Sequence, residues 1–134
     1  MKHKIKNALI SVSDKTNLSE ILKLLKEHNV KIISSGGTFK TIKNLGYKCT
    51  DVSSYTGFKE MLDGRVKTLH PKIHAGILYD RLNKKHKAEM SKKKFPSLDL
   101  IIVNFYPFQN IVLNSKDPKK IIENVDIGGP TMVR

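Results

Sequence analysis

The sequence has a single cysteine, Cys49, in 134 residues, which excludes an internal disulfide framework. Cys49 lies in a strand-like run and reads as a plain buried thiol rather than a reactive one. No apolar run approaches the roughly 18–20 residues needed to span a bilayer, so no membrane partner is expected. The opening Met1–Lys6 is basic but has no apolar h-region behind it, and it does not read as a secretory signal. A cytoplasmic, reduced setting is the expectation. Acidic residues are also scarce: 12 Asp and Glu stand against 25 Lys and Arg, a formal net charge of +13. Such a field attracts nucleic acid, acidic membranes or phosphorylated small molecules. Its layout is not that of a nucleic-acid reader. Lys84, Lys85, Lys87, Lys92, Lys93 and Lys94 form a hydrophilic segment with no aromatic residue until Phe95. An aromatic-rich RNA-binding strand pattern is missing, and one cysteine rules out a zinc finger. The charge reads as solvated surface, with no dedicated nucleic-acid site. Internal repeats and low-complexity linkers are absent too.

What is present is ordinary in bulk. A content of 39% apolar and 28% charged residues over this length fits one domain, residues 1–134, with one sizeable core. Strand and helix patterns alternate, which favours an α/β fold. Asn7–Ser13 reads as a buried parallel strand. A helix follows, with Asn17 as its cap, Glu20 as the reciprocal partner and Leu18, Ile21, Leu22 and Leu25 on one face. Asn29 stops it. Val30–Ser34 is a second strand that runs directly into Ser35, Gly36, Gly37 and Thr38, and there a second helix opens. That helix has Phe39, Ile42 and Leu45 inward and ends at Gly46. Tyr47–Val52 reads as a third strand, and residues 53–63 as a turn region with one helical turn around Phe58–Leu62. His70–Pro71 is expected to break any regular element. Residues 80–97 form a lysine-rich surface excursion. Leu98–Asn104, the strongest strand in the sequence, is expected near the sheet centre. Pro118 opens a last helix containing Ile121, Ile122 and Val125.

Chemistry concentrates in Gly64–Leu78, which packs Arg65, Lys67, Thr68, His70, Lys72 and His74 among Leu69, Ile73, Ile77 and Leu78. A segment both anchored and rich in donors suits an anionic ligand. Two glycines at a strand-to-helix turn let backbone approach a ligand, and the free N–H groups of a helix start favour an anion. The Ser35–Thr38 turn follows a parallel strand, whose carboxyl end is where α/β sheets bind ligands. It reads equally as a tight turn with a Thr cap. Asp126 before Gly128 and Gly129 reads either as a turn residue or as a carboxylate presented to the same cleft.

Five segments together resemble the N-terminal IMP cyclohydrolase domain of the bifunctional purine-biosynthesis enzymes. They are Ser11–Thr16, Ser35–Thr38, Gly64–Pro71, Asn104–Phe108 and Asp126–Gly129, in the family's order and at similar spacing across essentially the whole chain. The Ser35–Thr38 motif alone is shared with methylglyoxal synthase and the regulatory domain of carbamoyl phosphate synthetase. Gly64–Pro71 with Asp126–Gly129 is far more specific. The resemblance implies a methylglyoxal-synthase-like fold, a Rossmann-like parallel sheet with helices on both faces. It also implies closure of 5-formamidoimidazole-4-carboxamide ribonucleotide to IMP with loss of water, without metal or organic cofactor, in a homodimer. In the family a formyltransferase domain accompanies this one.

Carried over by motif, Lys67, Tyr106 and Asp126 are the catalytic candidates. Ser11, Ser13, Lys15, Ser35, Gly36, Gly37, Thr38, Arg65, Thr68, Ile127 and Gly128 are the substrate-binding candidates. The reaction asks for such types. A weakly nucleophilic amide must lose a proton and a developing alkoxide needs a cation or donor. Lys67 is expected to stabilise the formyl oxygen, with Asp126 and Tyr106 orienting the amide and relaying protons. His70, beside Pro71, reads as structural at least as readily as catalytic. In the family, a helix bearing a Lys-Asn pair follows Asp-Ile-Gly-Gly, and its lysine lies at the active site. This sequence ends at Arg134, before it, as a fragment or short form would. Impaired turnover and increased self-association are therefore expected. The alternative is a non-catalytic binder of purine nucleotide or phosphate. Methylglyoxal synthase and a basic nucleic-acid binder are the more distant readings.

Overall fold

The computed structural model describes residues 3–134. Four strands, β1 (Asn7–Ser11), β2 (Lys31–Ser34), β3 (Thr50–Asp51) and β4 (Leu100–Val103), form one sheet in the order β3-β2-β1-β4. Every pairing is parallel, with Ala8 opposite Ile32 and Leu100, and Leu9 opposite Ile33 and Ile101. Successive side chains of β1 point to opposite faces, and the core divides accordingly. Ala8, Ile10 and Ile32 pack with Leu18, Leu22 and Leu25 of helix α1 (Leu18–Glu27) and Ile42 of helix α2 (Gly36–Asn44). Leu9 and Ile33 face the other way. They meet Val52 of α3 (Val52–Thr56), Ile73 of α4 (Pro71–Leu78) and Met132 of α8 (Gly128–Val133), together with Leu98. Helices therefore cover both faces, which is why the strands read as continuous apolar runs. Three further helices, α5 (Lys84–Lys92), α6 (Phe108–Asn114) and α7 (Pro118–Glu123), lie outside this packing. Met90 is the only buried residue among them.

Several local expectations are corrected. Asn17 adopts a left-handed conformation at φ 60° and its side chain caps nothing. Asp14 orders that turn instead, accepting from the Thr16 N–H at 2.9 Å and the Thr16 hydroxyl at 2.6 Å. Leu45 lies past the last turn of α2 and is 47% exposed, not inward. The first and third strands are shorter than expected. The helical turn expected around Phe58–Leu62 forms earlier, as α3, because Asp51 caps it through the Ser53 N–H and hydroxyl. Residues 58–66 instead make a turn closed by a Met61–Val66 bridge. His70–Pro71 does not break regular structure; it starts α4. His70 is extended, its Nδ1 accepts the Lys72 N–H at 3.1 Å, and Pro71 takes the first helical position, where its missing N–H costs nothing. β4 is an edge strand, not a central one: among the described residues it pairs only with β1. Its apolar sequence reports that both of its faces are covered, not that both of its edges are paired.

Candidate functional site

Because the order is β3-β2-β1-β4, the chain winds one way from β1 and then returns to its other side at β4. The strand order thus reverses between β1 and β4, and the carboxyl ends of the strands at such a switch point are where doubly wound sheets bind ligands. β2 delivers Ser35 and the start of α2 to the same end. Ser35 makes no side-chain cap, and Gly36 takes φ +55°, a conformation that glycine adopts without strain. The helix start thus has no side-chain cap at that end of the sheet.

Two lysines flank it. A methyl group on Gly36 would stand 3.0 Å from Lys67 Nζ, and one on Gly37 would stand 3.9 Å from Lys15 Nζ. Lys15 is tied down through the Val12 and Ser13 carbonyls, each at 3.2 Å. Lys67 Nζ makes no hydrogen bond among the described residues and also lies beside Gly64, 3.4 Å from where its Cβ would be. Two ammonium groups and a helix start converge on one glycine pair, which suits a phosphate or another compact anion.

The remaining motifs join through close contacts. Thr68 is buried, and its Oγ1 would lie 2.8 Å from a Cβ at Gly128. Phe105 Cδ1 would lie 3.1 Å from one at Gly129. Ser13 Oγ donates to the Phe105 carbonyl at 3.4 Å. Side chains from all five sequence motifs therefore meet at this end of the sheet, although the motifs are far apart in sequence.

Individual roles differ more than the motifs foretell. Thr38 is buried, and its hydroxyl is committed to β1's end, accepting from the Val12 N–H at 3.2 Å and donating to its carbonyl at 2.9 Å. Ser35 is buried as well. Asp126 Oδ1 accepts the Gly129 N–H at 3.0 Å, so the carboxylate serves the turn that starts α8. Arg65 points elsewhere and pairs with Glu123 at 2.7 Å, both side chains more than half exposed. Tyr106 is half-exposed and lines a separate hollow of about 240 Å³ with Pro107, Phe108, Gln109 and Asn110. Ile127 is exposed. The structure thus gathers Lys15, Gly36, Gly37 and Lys67 at one spot and Thr68 with Gly128 beside it, but leaves Arg65 and Tyr106 apart.

Asn104 heads one of the five motifs, yet the sequence assigned it no role. Its Oδ1 accepts the N–H groups of Ser13 at 2.6 Å and Asp14 at 3.1 Å, and its Nδ2 donates to the Asp14 carbonyl at 2.7 Å. An asparagine at the carboxyl end of a parallel strand was the available signal. Cys49 is half-buried, and burial followed by the neighbouring Asp51 carboxylate pushes its thiol up to about 11, leaving it without nucleophilic character near neutral pH. No described helix is long and apolar enough to cross a membrane.

A parallel sheet covered by helices on both faces, with a lysine-flanked glycine turn at its carboxyl end, defines the class as an α/β domain. A family model for the MGS-like domain matches residues 17–131, and the chain belongs to that family. Two curated relatives carry the name bifunctional purine biosynthesis protein PurH. The protein from Acetivibrio thermocellus is 51% identical over 131 residues, covering 97% of this chain and 26% of the relative. The one from Bradyrhizobium diazoefficiens is 50% identical over 131 residues, covering 98% of this chain and 25% of the relative. The chain thus spans about a quarter of the length of these relatives. Among solved structures, the crystal structure of ForH superposes with a TM-score of 0.81 at 28% identity, over 95% of this chain and 64% of that one. The methylglyoxal-synthase-like α/β fold expected from the motifs stands, and the relatives of that purine-biosynthesis name match almost the whole of this chain.

Proposed function

We propose that this domain is an IMP cyclohydrolase, closing 5-formamidoimidazole-4-carboxamide ribonucleotide to IMP with loss of water. The observation that carries this reading is the convergence of Lys15 and Lys67 on Gly36–Gly37, with Thr68 and Gly128 adjacent. The 5′-phosphate sits against the glycine turn and the start of α2. Carboxamide nitrogen and formyl carbon already belong to one molecule, so holding the substrate folded supplies most of the proximity. Lys67 Nζ, having no hydrogen-bond partner among the described residues, meets the negative charge that develops on the formyl oxygen. Asp126 retains Oδ2 for the carboxamide while Oδ1 holds its turn. Tyr106 relays protons once its loop turns inward.

The proposal also keeps the expectations of a cytoplasmic setting, a homodimer and, in the longer proteins of the family, a formyltransferase domain. The test is to mix the protein with the formamido nucleotide and follow IMP absorbance. Lys67→Met is expected to abolish turnover while nucleotide affinity stays within roughly a few-fold. Unchanged turnover removes Lys67 from the mechanism.

A second reading, a nucleotide- or phosphate-binding module without catalysis, is favoured by Arg65 being paired with Glu123 and by Tyr106 standing away from Lys67. Nucleotide binding without IMP formation would select it.

A further inference from the structure

Pairing between β1 and β4 ends at Ser11 and Val103, yet something must hold the lysine-bearing loop that follows. We propose that Asn104 is a positioning residue. It fastens the loop after β1 to the end of β4, so that Lys15 presents its charge to the anion at Gly36–Gly37. This inference rests on the nucleotide-site reading above.

The argument starts from the side chain's capacity. An asparagine amide makes at most about four hydrogen bonds, and three of Asn104's go to two adjacent loop residues. It meets both N–H groups and a carbonyl of Ser13–Asp14, much as a neighbouring strand would, at the point where β4 has stopped pairing with β1. Thr38 grips the same loop from the other side, at Val12. The segment is therefore pinned from both flanks. Lys15 is pinned in turn, because its Nζ is bound to the Val12 and Ser13 carbonyls. If the Asn104 bonds are removed, Ser13 turns with its carbonyl, and the ammonium group loses one of its two anchors and its aim at Gly37. Thr38 still holds Val12, so the strand itself stays paired.

The experiment combines amide hydrogen exchange with binding of two probes, inorganic phosphate and IMP. In Asn104→Ala, the Ser13 and Asp14 amides are expected to lose protection while those of Leu9 and Ile10 keep it. Asn104→Asp retains the acceptor for both N–H groups and is expected to retain their protection. Asn104→Ala should weaken both probes by about tenfold, the effect of losing a hydrogen bond or two. That loss should largely disappear in a Lys15→Met background, because both changes remove the same interaction. Unchanged exchange at Ser13 and Asp14 would overturn the proposal, as would loss of protection spread evenly along β1. Additive losses with Lys15→Met would do the same. Failure of the unmutated protein to bind either probe would instead overturn the nucleotide-site reading itself, and with it any role for Asn104 in binding.

Discussion

Gly36 and Lys67 form the smallest unit on which the proposed site rests. The glycine's φ of +55° lies where a side chain is strained, and a Cβ there would stand 3.0 Å from Lys67 Nζ. Gly36→Ala therefore carries two penalties. Left-handed backbone costs an L-residue about 1–2 kcal/mol, and the new methyl intrudes on the turn against which the phosphate is proposed to sit. Phosphate affinity, read by calorimetric titration with inorganic phosphate, should fall by at least tenfold, with thermal stability lowered by a few degrees. Binding that survives intact would mean that the anion does not use this turn. The glycine turn was legible in the sequence because its chemistry is local: a strand, two glycines and a helix start. Arg65 was not. Its motif places it beside Lys67, but an exposed guanidinium is free to seek the nearest carboxylate, and Glu123 lies 58 positions away.

At the level of elements, the amino ends of the strands are held as deliberately as the carboxyl ends are left open. Asp99, just before β4, accepts the N–H groups of Lys6 at 2.8 Å and Asn7 at 3.0 Å, and the Arg81 guanidinium at 3.0 Å. One largely buried carboxylate thus joins the start of β1, the start of β4 and the segment that follows α4. Burial alone would raise its pKa. The Lys6 N–H, the Ser97 side chain, the Asn7 N–H and Arg81 together outweigh burial and hold it below the ordinary carboxylate range. A carboxyl depressed in the folded state stabilises above its unfolded pKa, and that contribution is lost as pH falls through the folded value. Asp99→Ala should cost about 2–3 kcal/mol near neutral pH, since it strands the Lys6 and Asn7 N–H groups and a partly buried guanidinium together. The gap from the unmutated protein should close in acid, below the ordinary carboxylate range. Urea denaturation at neutral and acid pH checks this, and a gap that stays constant would assign the loss to packing. Such long-range ties are where sequence reading stops. The alternation of strands and helices, and the faces of α1 and α2 around Leu22 and Ile42, follow from local periodicity. The edge position of β4 and the helix that begins at Pro71 depend on which neighbours the chain finds.

The whole molecule is lopsided. Its first hundred residues supply both layers of the core, apart from Met132 and the partly buried residues of β4. Helices α6 and α7 bury no residue at all, leaving Leu113 at 82% exposure and Ile122 at 70%. β4, the strand that precedes them, leaves one edge unpaired among the described residues. Exposed leucine and isoleucine, like an unpaired strand edge, favour association with a further surface, because each buried Å² of apolar area contributes about 25 cal/mol. The charge opposes this: at +13, two copies repel over a distance set by the ionic strength, about 10 Å at 0.1 M salt. Apolar attraction survives screening and the repulsion does not. Self-association should therefore strengthen as salt rises, the reverse of what a basic nucleic-acid binder does with its polyanion. Sedimentation velocity across a salt series measures it directly. Leu113→Lys with Ile122→Lys should shift the population toward monomer at every salt concentration, without lowering the unfolding midpoint, because neither side chain is part of the core. Association that weakens with salt, or that ignores both substitutions, would place the contact on a charged face instead of the apolar surface of α6 and α7.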